Sequence, residues 1–207
     1  MTERTSMVVR SSATWPRTCI ESVRMSRVLI PLTDGFEDIE AVSVIDVLRR
    51  GGVEVVTASC VGGAEVTSAH GVVVRADSPI ETAVDGEYDA IVLPGGPGTR
   101  SLLDCGPLAA RLKLQQESGG LLCAICAAPT VLTELGLVPA DVHLTCYPTC
   151  VMDLDRPSAN VPCVEDENFI TGQAPGSALL FALVVLKRLK GEKIALKVAR
   201  GMVTDVL

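Results

Sequence analysis

Short apolar segments alternate with helical patterns along most of this chain, and that alternation limits the folds that it can adopt. Segments of four to six residues, rich in Val, Leu and Ile, occupy 27–32, 53–58, 90–93 and 121–125. A helix that joins two neighbouring strands makes them parallel, with a right-handed crossover. Only 3% of the residues are aromatic, so the core is aliphatic, as in buried parallel sheets. The sequence therefore predicts an α/β fold, a mostly parallel sheet between two layers of helices.

Apolar periodicity and Gly or Pro signals place the remaining elements. A small hairpin or a pair of edge strands is predicted at 66–67 and 72–74, around Gly71, and short strands at 144–145 and 169–171. Helices are predicted over 38–50, 108–117, 127–135, 177–190 and 192–200. In the first helix one apolar stripe is expected to face the core, formed by Ile39, Val42, Ile45, Val47 and Leu48.

The chain has 207 residues, enough for one domain, and residues 27–207 are predicted to form it. Residues 1–26 show no sustained helical or strand period and are interpreted as a disordered leader. Their Arg and Ser content leaves a mitochondrial targeting segment open as an alternative. Residues 1–27 carry five Arg and two Glu, whereas residues 28–207 carry 13 basic and 23 acidic residues, so the domain is the acidic part.

Charge and apolar content exclude several classes of partner. The net charge of −7 argues against nucleic acids and anionic membrane surfaces. No apolar run approaches the roughly 18 residues of a membrane span, and no secretory signal is evident. We therefore expect most of the eight cysteines to be free thiols in a reducing compartment. The expected location is the cytoplasm, or the mitochondrion if the leader is a presequence.

Cys126 lies in the segment with the clearest chemical signature. Residues 119–130, GGLLCAICAAPT, pass from an apolar strand directly into a helix, with Cys126 at the junction among small residues. This pattern is typical of a nucleophile elbow, in which a tight strand–turn–helix lifts a reactive side chain out of the sheet. We expect the helix N-terminus to lower the pKa of the thiol, and backbone amides there to hold an oxyanion.

Two other interpretations of this segment stay open. One is a buried structural cysteine, since the chain has seven other cysteines. The other is a redox pair, because Cys123 and Cys126 have C-x-x-C spacing. Such pairs lie in the first turn of a helix with both sulfurs near the surface, whereas Cys123 lies inside an apolar strand. The sequence therefore favours Cys123 as a core residue.

Two further loops are expected beside Cys126, because ligands of open parallel sheets bind at the carboxyl ends of the strands. The first, 33–38, leads into the helix that carries Glu40 between apolar neighbours. A carboxyl group half-buried near a thiol has a raised pKa and can donate a hydrogen bond or move protons. The second, PGGPG at 94–98, lacks the spacing and Lys of a phosphate loop, and its amides suit a reactive cysteine better.

Histidine-dependent and metal-dependent sites are less favoured. The two histidines, His70 and His143, lie next to short predicted strands, and neither placement predicts contact with Cys126. Cys146 and Cys150 lack a second pair of ligands at zinc-binding spacing. No metal site is therefore predicted.

Together, these motifs resemble the ThiJ/PfpI superfamily, in the branch typified by the parkinsonism-associated protein deglycase. The resemblance covers about residues 27–200. It rests on DGFEDIE at 34–40, LPGG at 93–96, AICAAP at 124–129 and TGQAPG at 171–176. It implies a flavodoxin-like three-layer fold of the class I glutamine amidotransferase type, usually as a homodimer.

The resemblance also implies roles for single residues. Cys126 matches the reactive, oxidation-sensitive nucleophile of the family, and Glu40 matches the glutamate that hydrogen-bonds it. Gly96 and Ala127 match the positions whose amides form an oxyanion pocket, and Gly95 belongs to the same loop.

Three positions depart from relatives. Tyr147 stands where several relatives carry a histidine near the cysteine. We therefore expect a proton relay that lacks this histidine, with Tyr147 at the substrate pocket. Gln173 stands where relatives often have an arginine. Ala127 replaces the histidine of the peptidase branch, which disfavours a protease.

The expected function is a glutathione-independent glyoxalase or protein deglycase that protects against carbonyl and oxidative stress. Its substrates are methylglyoxal-type α-oxoaldehydes, or their early adducts on protein or nucleotide groups, and its products are hydroxy acids. No metal or organic cofactor, specific nucleic acid or membrane partner is expected. The alternative is a redox-sensing chaperone in which Cys126 is oxidised to a sulfinate. A stress-associated dimer with an inert thiol is a third interpretation.

Overall fold

A computed structural model describes residues 8–10 and 25–207 of the chain. The strands are β1 Val8–Arg10, β2 Arg27–Leu32, β3 Glu54–Ser59, β4 Glu65–Thr67, β5 Val73–Arg75, β6 Ser78–Pro79, β7 Ala90–Leu93, β8 Leu121–Ile125, β9 Cys163–Asp166 and β10 Phe169–Gly172. The helices are α1 Asp38–Arg50, α2 Ile80–Ala83, α3 Arg100–Leu103, α4 Gly106–Glu117, α5 Pro129–Glu134, α6 Ala178–Lys190 and α7 Glu192–Gly201. Short 3₁₀ helices occupy Pro97–Thr99, Pro148–Asp153 and Pro175–Ser177.

Within the described residues, eight strands form one sheet in the order β1-β9-β10-β8-β7-β2-β3-β6. Every neighbouring pair is parallel except β9 with β10. The short strands β4 and β5 pair with each other as an antiparallel hairpin, as predicted. The mostly parallel sheet predicted from the alternation of elements is confirmed.

Each face of the sheet carries its own apolar core. One core packs the sheet against α1, α6 and α7, and the other packs it against α2, α4 and α5. Strand β8 contributes to both, because successive side chains of a strand point to opposite faces. Cys123 and Ile125 join the first core, whereas Leu122 and Ala124 join the second. The predicted three-layer arrangement is therefore confirmed.

The buried stripe predicted for α1 is wrong at two positions. Ile39 and Val42 are 56% and 47% exposed, whereas Glu40, Ala41 and Val44 are buried with Val47 and Leu48. The buried positions still recur every three or four residues, but the stripe is rotated. Apolar periodicity missed it because a carboxyl group, that of Glu40, lies on the buried face.

Two strand assignments also differ from the sequence prediction. Leu144 makes only an isolated bridge to Ser158, and the amide of Thr145 donates to Thr171 Oγ1 at 2.9 Å instead of to a strand. Strand β9 was not predicted, because it carries two acidic residues and reaches β10 through two residues without glycine. Glu167 adopts φ 50° in that turn, a role usually taken by Gly or Asn.

The interpretation of residues 1–26 as a leader lies largely outside the described residues and stays a prediction. Residues 8–10 and 25–26 of this segment are described, and Val8–Arg10 pairs in parallel with β9 at the edge of the sheet. Among the described residues, no helix has both the length and the apolar content needed to cross a bilayer.

Candidate active site

Three loops meet at the carboxyl ends of adjacent strands β2, β7 and β8. The loop after β2 is joined to the loop after β7 by two backbone hydrogen bonds. The amide of Glu37 donates to the Gly95 carbonyl at 2.9 Å, and the amide of Gly98 donates to the Gly35 carbonyl at 3.0 Å. The strand order thus brings Cys126, at the end of β8, beside both loops.

Cys126 adopts a left-handed backbone conformation, with φ 65°, between β8 and the turn into α5. Such a φ is uncommon for a residue with a side chain and persists only where neighbours hold it. Two backbone hydrogen bonds do so here. The Cys126 amide donates to the Gly172 carbonyl at 2.9 Å, and the Tyr147 amide donates to the Cys126 carbonyl at 2.7 Å. Cys126 thus lies at a tight junction between a strand and a helix, and it is only 7% exposed.

Glu40 is fully buried in the first turn of α1. Its Oε2 accepts a hydrogen bond from the Gly95 amide at 2.8 Å. Its own amide donates to Oε2 of Glu37, the N-cap residue of α1, at 2.7 Å. Oε1 of Glu40 is buried and has no hydrogen-bond partner at ordinary geometry among the described residues. A proton on Oε1 would therefore be free to reach a sulfur or a substrate oxygen.

Glycines allow the thiol and the carboxyl group to approach each other. A Cβ atom added to Gly95 would lie 2.7 Å from Cβ of Cys126 and 2.8 Å from Oε2 of Glu40. Gly96 has φ 106°, and an added Cβ there would collide with the Gly35 carbonyl. Larger residues are excluded at both positions for steric reasons.

Burial dominates the electrostatics of the pair. It raises the pKa of Glu40 to about 7, against the lowering effects of the Gly95 amide and the Cys126 side chain. Burial and the Glu40 charge also raise the pKa of the Cys126 thiol, although the amides of Ala127 and Gly96 lower it. The prediction that a helix N-terminus lowers the pKa of Cys126 is therefore wrong. Helix α5 has only six residues, and burial together with the neighbouring carboxylate outweighs the amides.

The remaining predicted site residues differ in how close they lie to the Cys126 sulfur. Gly96 and Ala127 bring their amides to the sulfur, whereas Tyr147 contacts Cys126 through its backbone and keeps a 39% exposed side chain. Gln173 donates from its side chain to Asn160 Oδ1 at 2.9 Å, next to the end of β10. Cys123 is fully buried in the sheet, which opposes the redox-pair interpretation.

Both histidines pair with aspartates instead. His70 Nδ1 lies 2.7 Å from Asp38, and His143 Nδ1 lies 2.9 Å from Asp166. Within the part of the chain that the structure describes, Glu37, Asp38 and His70 form the group with spacing suitable for a metal ion. Each of them already has a partner in the protein.

Two residues of the site were missed by sequence reasoning. Glu37 was predicted only as part of the loop 33–38, but its side chain accepts a hydrogen bond from the Glu40 amide. Gly172 supplies the carbonyl that holds Cys126 in its left-handed conformation. The N-cap position of Glu37 carries a local signal, whereas the contact of Gly172 depends on the pairing of β10 with β8.

Comparisons with known proteins agree with this architecture. Residues 26–188 match the model of the DJ-1/PfpI family. Protein dj-1beta of Drosophila melanogaster is 37% identical over 178 residues, which cover 84% of this chain and 95% of that protein. The glutathione-independent glyoxalase DJR-1.2 of Caenorhabditis elegans is 35% identical over 167 residues, 79% of this chain and 88% of that protein.

A solved structure and a longer relative complete the comparison. The structure of oxidized DJ-1 from Toxoplasma gondii has a TM-score of 0.84 at 34% identity, covering 86% of this chain and 98% of that chain. Protein DJ-1 homolog B of Arabidopsis thaliana is 35% identical over 183 residues, but these residues span only 41% of its length and 86% of this chain.

Proposed function

This chain belongs to the DJ-1/PfpI family, and we propose on that basis that it is a glutathione-independent glyoxalase with Cys126 as its nucleophile. One observation carries the proposal. A fully buried glutamate with a pKa of about 7 leaves one oxygen unsatisfied beside the thiol of Cys126. A group of that pKa can both accept and donate a proton near neutral pH. The printed name of the Caenorhabditis elegans relative supports the same activity.

The first step is attack of the Cys126 sulfur on the aldehyde carbon of methylglyoxal. A C–S bond forms, the carbonyl π electrons move to oxygen, and that oxygen takes a proton from Glu40. The amides of Gly96 and Ala127 lie close enough to lower the pKa of the thiol, and they are the donors available to the developing oxyanion. The product of this step is a hemithioacetal.

Glu40 then moves a proton between the two adjacent substrate carbons. It removes the proton from the carbon bound to sulfur and returns one to the neighbouring carbon, while the hydroxyl proton passes from the first substrate oxygen to the second, which leaves a thioester. Water cleaves the thioester to lactate and free Cys126, so the net reaction is methylglyoxal plus water to lactate. With an early hemiaminal adduct, the Cys126 sulfur would displace the amine: the C–S bond forms, the C–N bond breaks, and the amine leaves with a proton from Glu40. The same hemithioacetal results, and this deglycase activity belongs to the proposal.

The proton balance of the pair favours this chemistry at neutral pH. Ionised Glu40 raises the pKa of Cys126, so the two groups retain one proton between them above pH 7. When that proton is on Glu40, the sulfur is a thiolate next to a carboxylic acid. The same carboxylic acid is then in position to protonate the oxyanion.

The proposal is tested by measuring lactate formed from methylglyoxal without glutathione. Cys126→Ala is expected to abolish turnover, and Glu40→Gln to reduce it at least about 100-fold, because general acid–base catalysis contributes that much. Cys60→Ser is the matched control, a thiol substitution outside the site. Unchanged turnover in Cys126→Ala would remove the nucleophile from the mechanism.

A second candidate function is redox sensing at the same thiol, with a chaperone role. The unsatisfied Oε1 of Glu40 suits a hydrogen bond to an oxidised sulfur, and the Toxoplasma gondii relative was solved in a form described as oxidized. Peroxide-treated protein would then gain two oxygen atoms at Cys126 while aldehyde turnover is negligible. Intact-mass and peptide analysis separates this function from the glyoxalase.

We also propose that the protein forms a homodimer through an exposed apolar patch. The patch consists of Ile39 and Val42 on the outer side of α1, and Val72 and Val73 at the hairpin. The hairpin lies against α1, because the Ser68 hydroxyl donates to Asp38. Exposed apolar side chains on two elements that are joined in this way are suited to burial by a second copy of the chain.

A further inference from the structure

The segment 144–147 passes beside Cys126 without belonging to a strand. Its first residue makes an isolated bridge, and the amide of its last residue, Tyr147, donates to the Cys126 carbonyl at 2.7 Å. Leu144, Thr145 and Cys146 are each at most 1% exposed. The backbone polar groups of these residues therefore need partners inside the protein.

Thr171, in β10, supplies one of these partners. Its Oγ1 accepts a hydrogen bond from the Thr145 amide at 2.9 Å, and both residues are fully buried. The bond joins positions that are 26 residues apart in the sequence. If the hydroxyl is lost, the buried amide keeps its desolvation penalty without a partner. The Thr171 hydroxyl thus fixes the segment 144–147 against the sheet.

Strand β10 therefore reaches Cys126 by two routes. In the direct route, the Gly172 carbonyl accepts from the Cys126 amide at 2.9 Å. The indirect route begins at the Thr171 hydroxyl and passes along the segment 144–147 to its last amide, which holds the Cys126 carbonyl. Strand β10 is itself paired with β8, the strand that ends just before Cys126. The peptide groups on both sides of Cys126 are thus held from one strand.

We propose that Thr171 is a positioning residue for the nucleophile, which keeps Cys126 in its left-handed conformation through the segment 144–147. A residue with a side chain stays in that region of φ and ψ only while its surroundings hold it there. Relaxation of the Cys126 backbone moves the sulfur, and a displacement of about 1 Å can slow a reaction about 100-fold. This inference rests on the proposed function where turnover is its readout, whereas the backbone of Cys126 can be followed without turnover.

The hydroxyl is tested by Thr171→Val, which keeps the β-branch of the side chain and replaces the hydroxyl with a methyl group. We expect kcat for methylglyoxal to fall about 10- to 100-fold while KM stays within about twofold, because the orientation of the sulfur changes and the binding of the small substrate does not. Thr171→Ser restores a hydroxyl and is expected to recover most of kcat.

Thr57→Val is the matched control for a lost hydrogen bond. Thr57 is also a buried strand threonine, and its hydroxyl donates to Asp77 Oδ2 at 2.7 Å in another part of the sheet. This variant is expected to lose stability and to keep the kcat of the parent. A loss of kcat that only tracked stability would therefore appear in both valine variants.

Amide hydrogen exchange measures the hold on Cys126 without any substrate. In Thr171→Val, the amides of Cys126 and Tyr147 should exchange about tenfold faster than in the parent, which corresponds to the loss of about one buried hydrogen bond. The amides of β7 should keep their rates, because the change is local. Residue-resolved exchange, by NMR or by fragmentation in the mass spectrometer, gives these rates.

A second pair of variants tests the last bond of the indirect route. Tyr147 has φ −59°, close to the value that a proline ring imposes, so Tyr147→Pro removes the amide hydrogen at a compatible backbone angle. Tyr147→Ala loses the same side chain and keeps the amide. The kcat of Tyr147→Pro should be at least about tenfold below that of Tyr147→Ala. This comparison decides the proposal even if Thr171→Val does not fold.

Two results overturn the proposal. One is exchange of the Cys126 and Tyr147 amides at the parental rate in Thr171→Val, and the other is equal turnover in Tyr147→Pro and Tyr147→Ala. A parent protein that forms no lactate contradicts only the proposed function, and the exchange rates then decide the role of Thr171.

Discussion

At the scale of single residues, the candidate site depends on one buried carboxyl group and on one cysteine whose backbone conformation is strained. Glu40 occupies a position that an aliphatic side chain would fill in most helices, and its ionised form has lost contact with water. Cys126 is held at φ 65° by partners from two other segments. Both features cost stability, which is common at functional sites. The residue-scale predictions follow from the protonation of this pair.

The pH dependence of turnover is expected to follow Glu40. Below about pH 7 the pair holds two protons, so that neither a thiolate nor a carboxylate is available. The value of kcat/KM for methylglyoxal should therefore fall about tenfold per pH unit below 7 and level off above it. Steady-state kinetics between pH 5 and 8.5 provide the measurement, and a flat profile would contradict the assignment.

Stability should show the opposite pH trend. The pKa of Glu40 is about 7 in the fold against 4.5 in an unperturbed group, so the folded state retains a proton that the unfolded chain releases. The contribution of Glu40 to stability is thus complete below pH 4.5 and is lost as pH rises through 7. Glu40→Gln does not titrate. The free energy of unfolding of Glu40→Gln minus that of the parent should therefore be about 2 kcal/mol larger at pH 8 than at pH 5.

Urea denaturation at the two pH values measures this difference. If the free energies of unfolding of Glu40→Gln and the parent differ by the same amount at pH 5 and at pH 8, burial does not raise the pKa of Glu40.

At the scale of elements, α1 links the fold to the site. Its buried face packs on the sheet through Ala41, Val44 and Leu48, and this packing carries Glu40 to the end of β7. The rotation of α1 relative to the predicted stripe is thus the feature that places the carboxyl group. Two exposed apolar residues, Ile39 and Val42, are left on the outer side as a consequence.

The N-cap of α1 should affect both stability and turnover. Oε2 of Glu37 accepts from the Glu40 amide, and its loss by Glu37→Ala should lower the free energy of unfolding by about 1 kcal/mol. Turnover should also fall, because the backbone that orients Glu40 is loosened. Glu37→Asp retains a good N-cap and is expected to keep most of the stability. Thermal unfolding and lactate assays compare the variants. If Glu37→Asp loses as much stability and turnover as Glu37→Ala, Glu37 does not act as an N-cap.

At the scale of the whole molecule, the exposed apolar patch predicts the state of assembly. Val42→Asp should shift a dimer toward monomer, because it places a charge in the centre of the proposed interface. Leu114→Asp is the control, since Leu114 is similarly exposed, at 57%, on α4 outside the patch. Sedimentation velocity over a concentration series is the measurement. A chain that is monomeric at all concentrations would remove the interface.

Most of the fold was predictable because it depends on local patterns. The strands β2, β3, β7 and β8 and the helices α1, α4, α6 and α7 follow from apolar runs, periodicity and glycine signals. The exceptions have non-local causes. Strand β9 is acidic and is stabilised by its neighbours in the sheet, and residues 144–145 find a side-chain partner in place of a strand.

What the sequence by itself determined is the α/β class, the three loops at one end of the sheet, and the place of Cys126 at a strand–helix junction. These depend on residues close together in the chain. Only the tertiary structure decided that Glu40 is buried beside Cys126 and that the Cys126 pKa is raised. Desolvation and charge coupling are properties of the packed environment, and residues distant in sequence supply that environment.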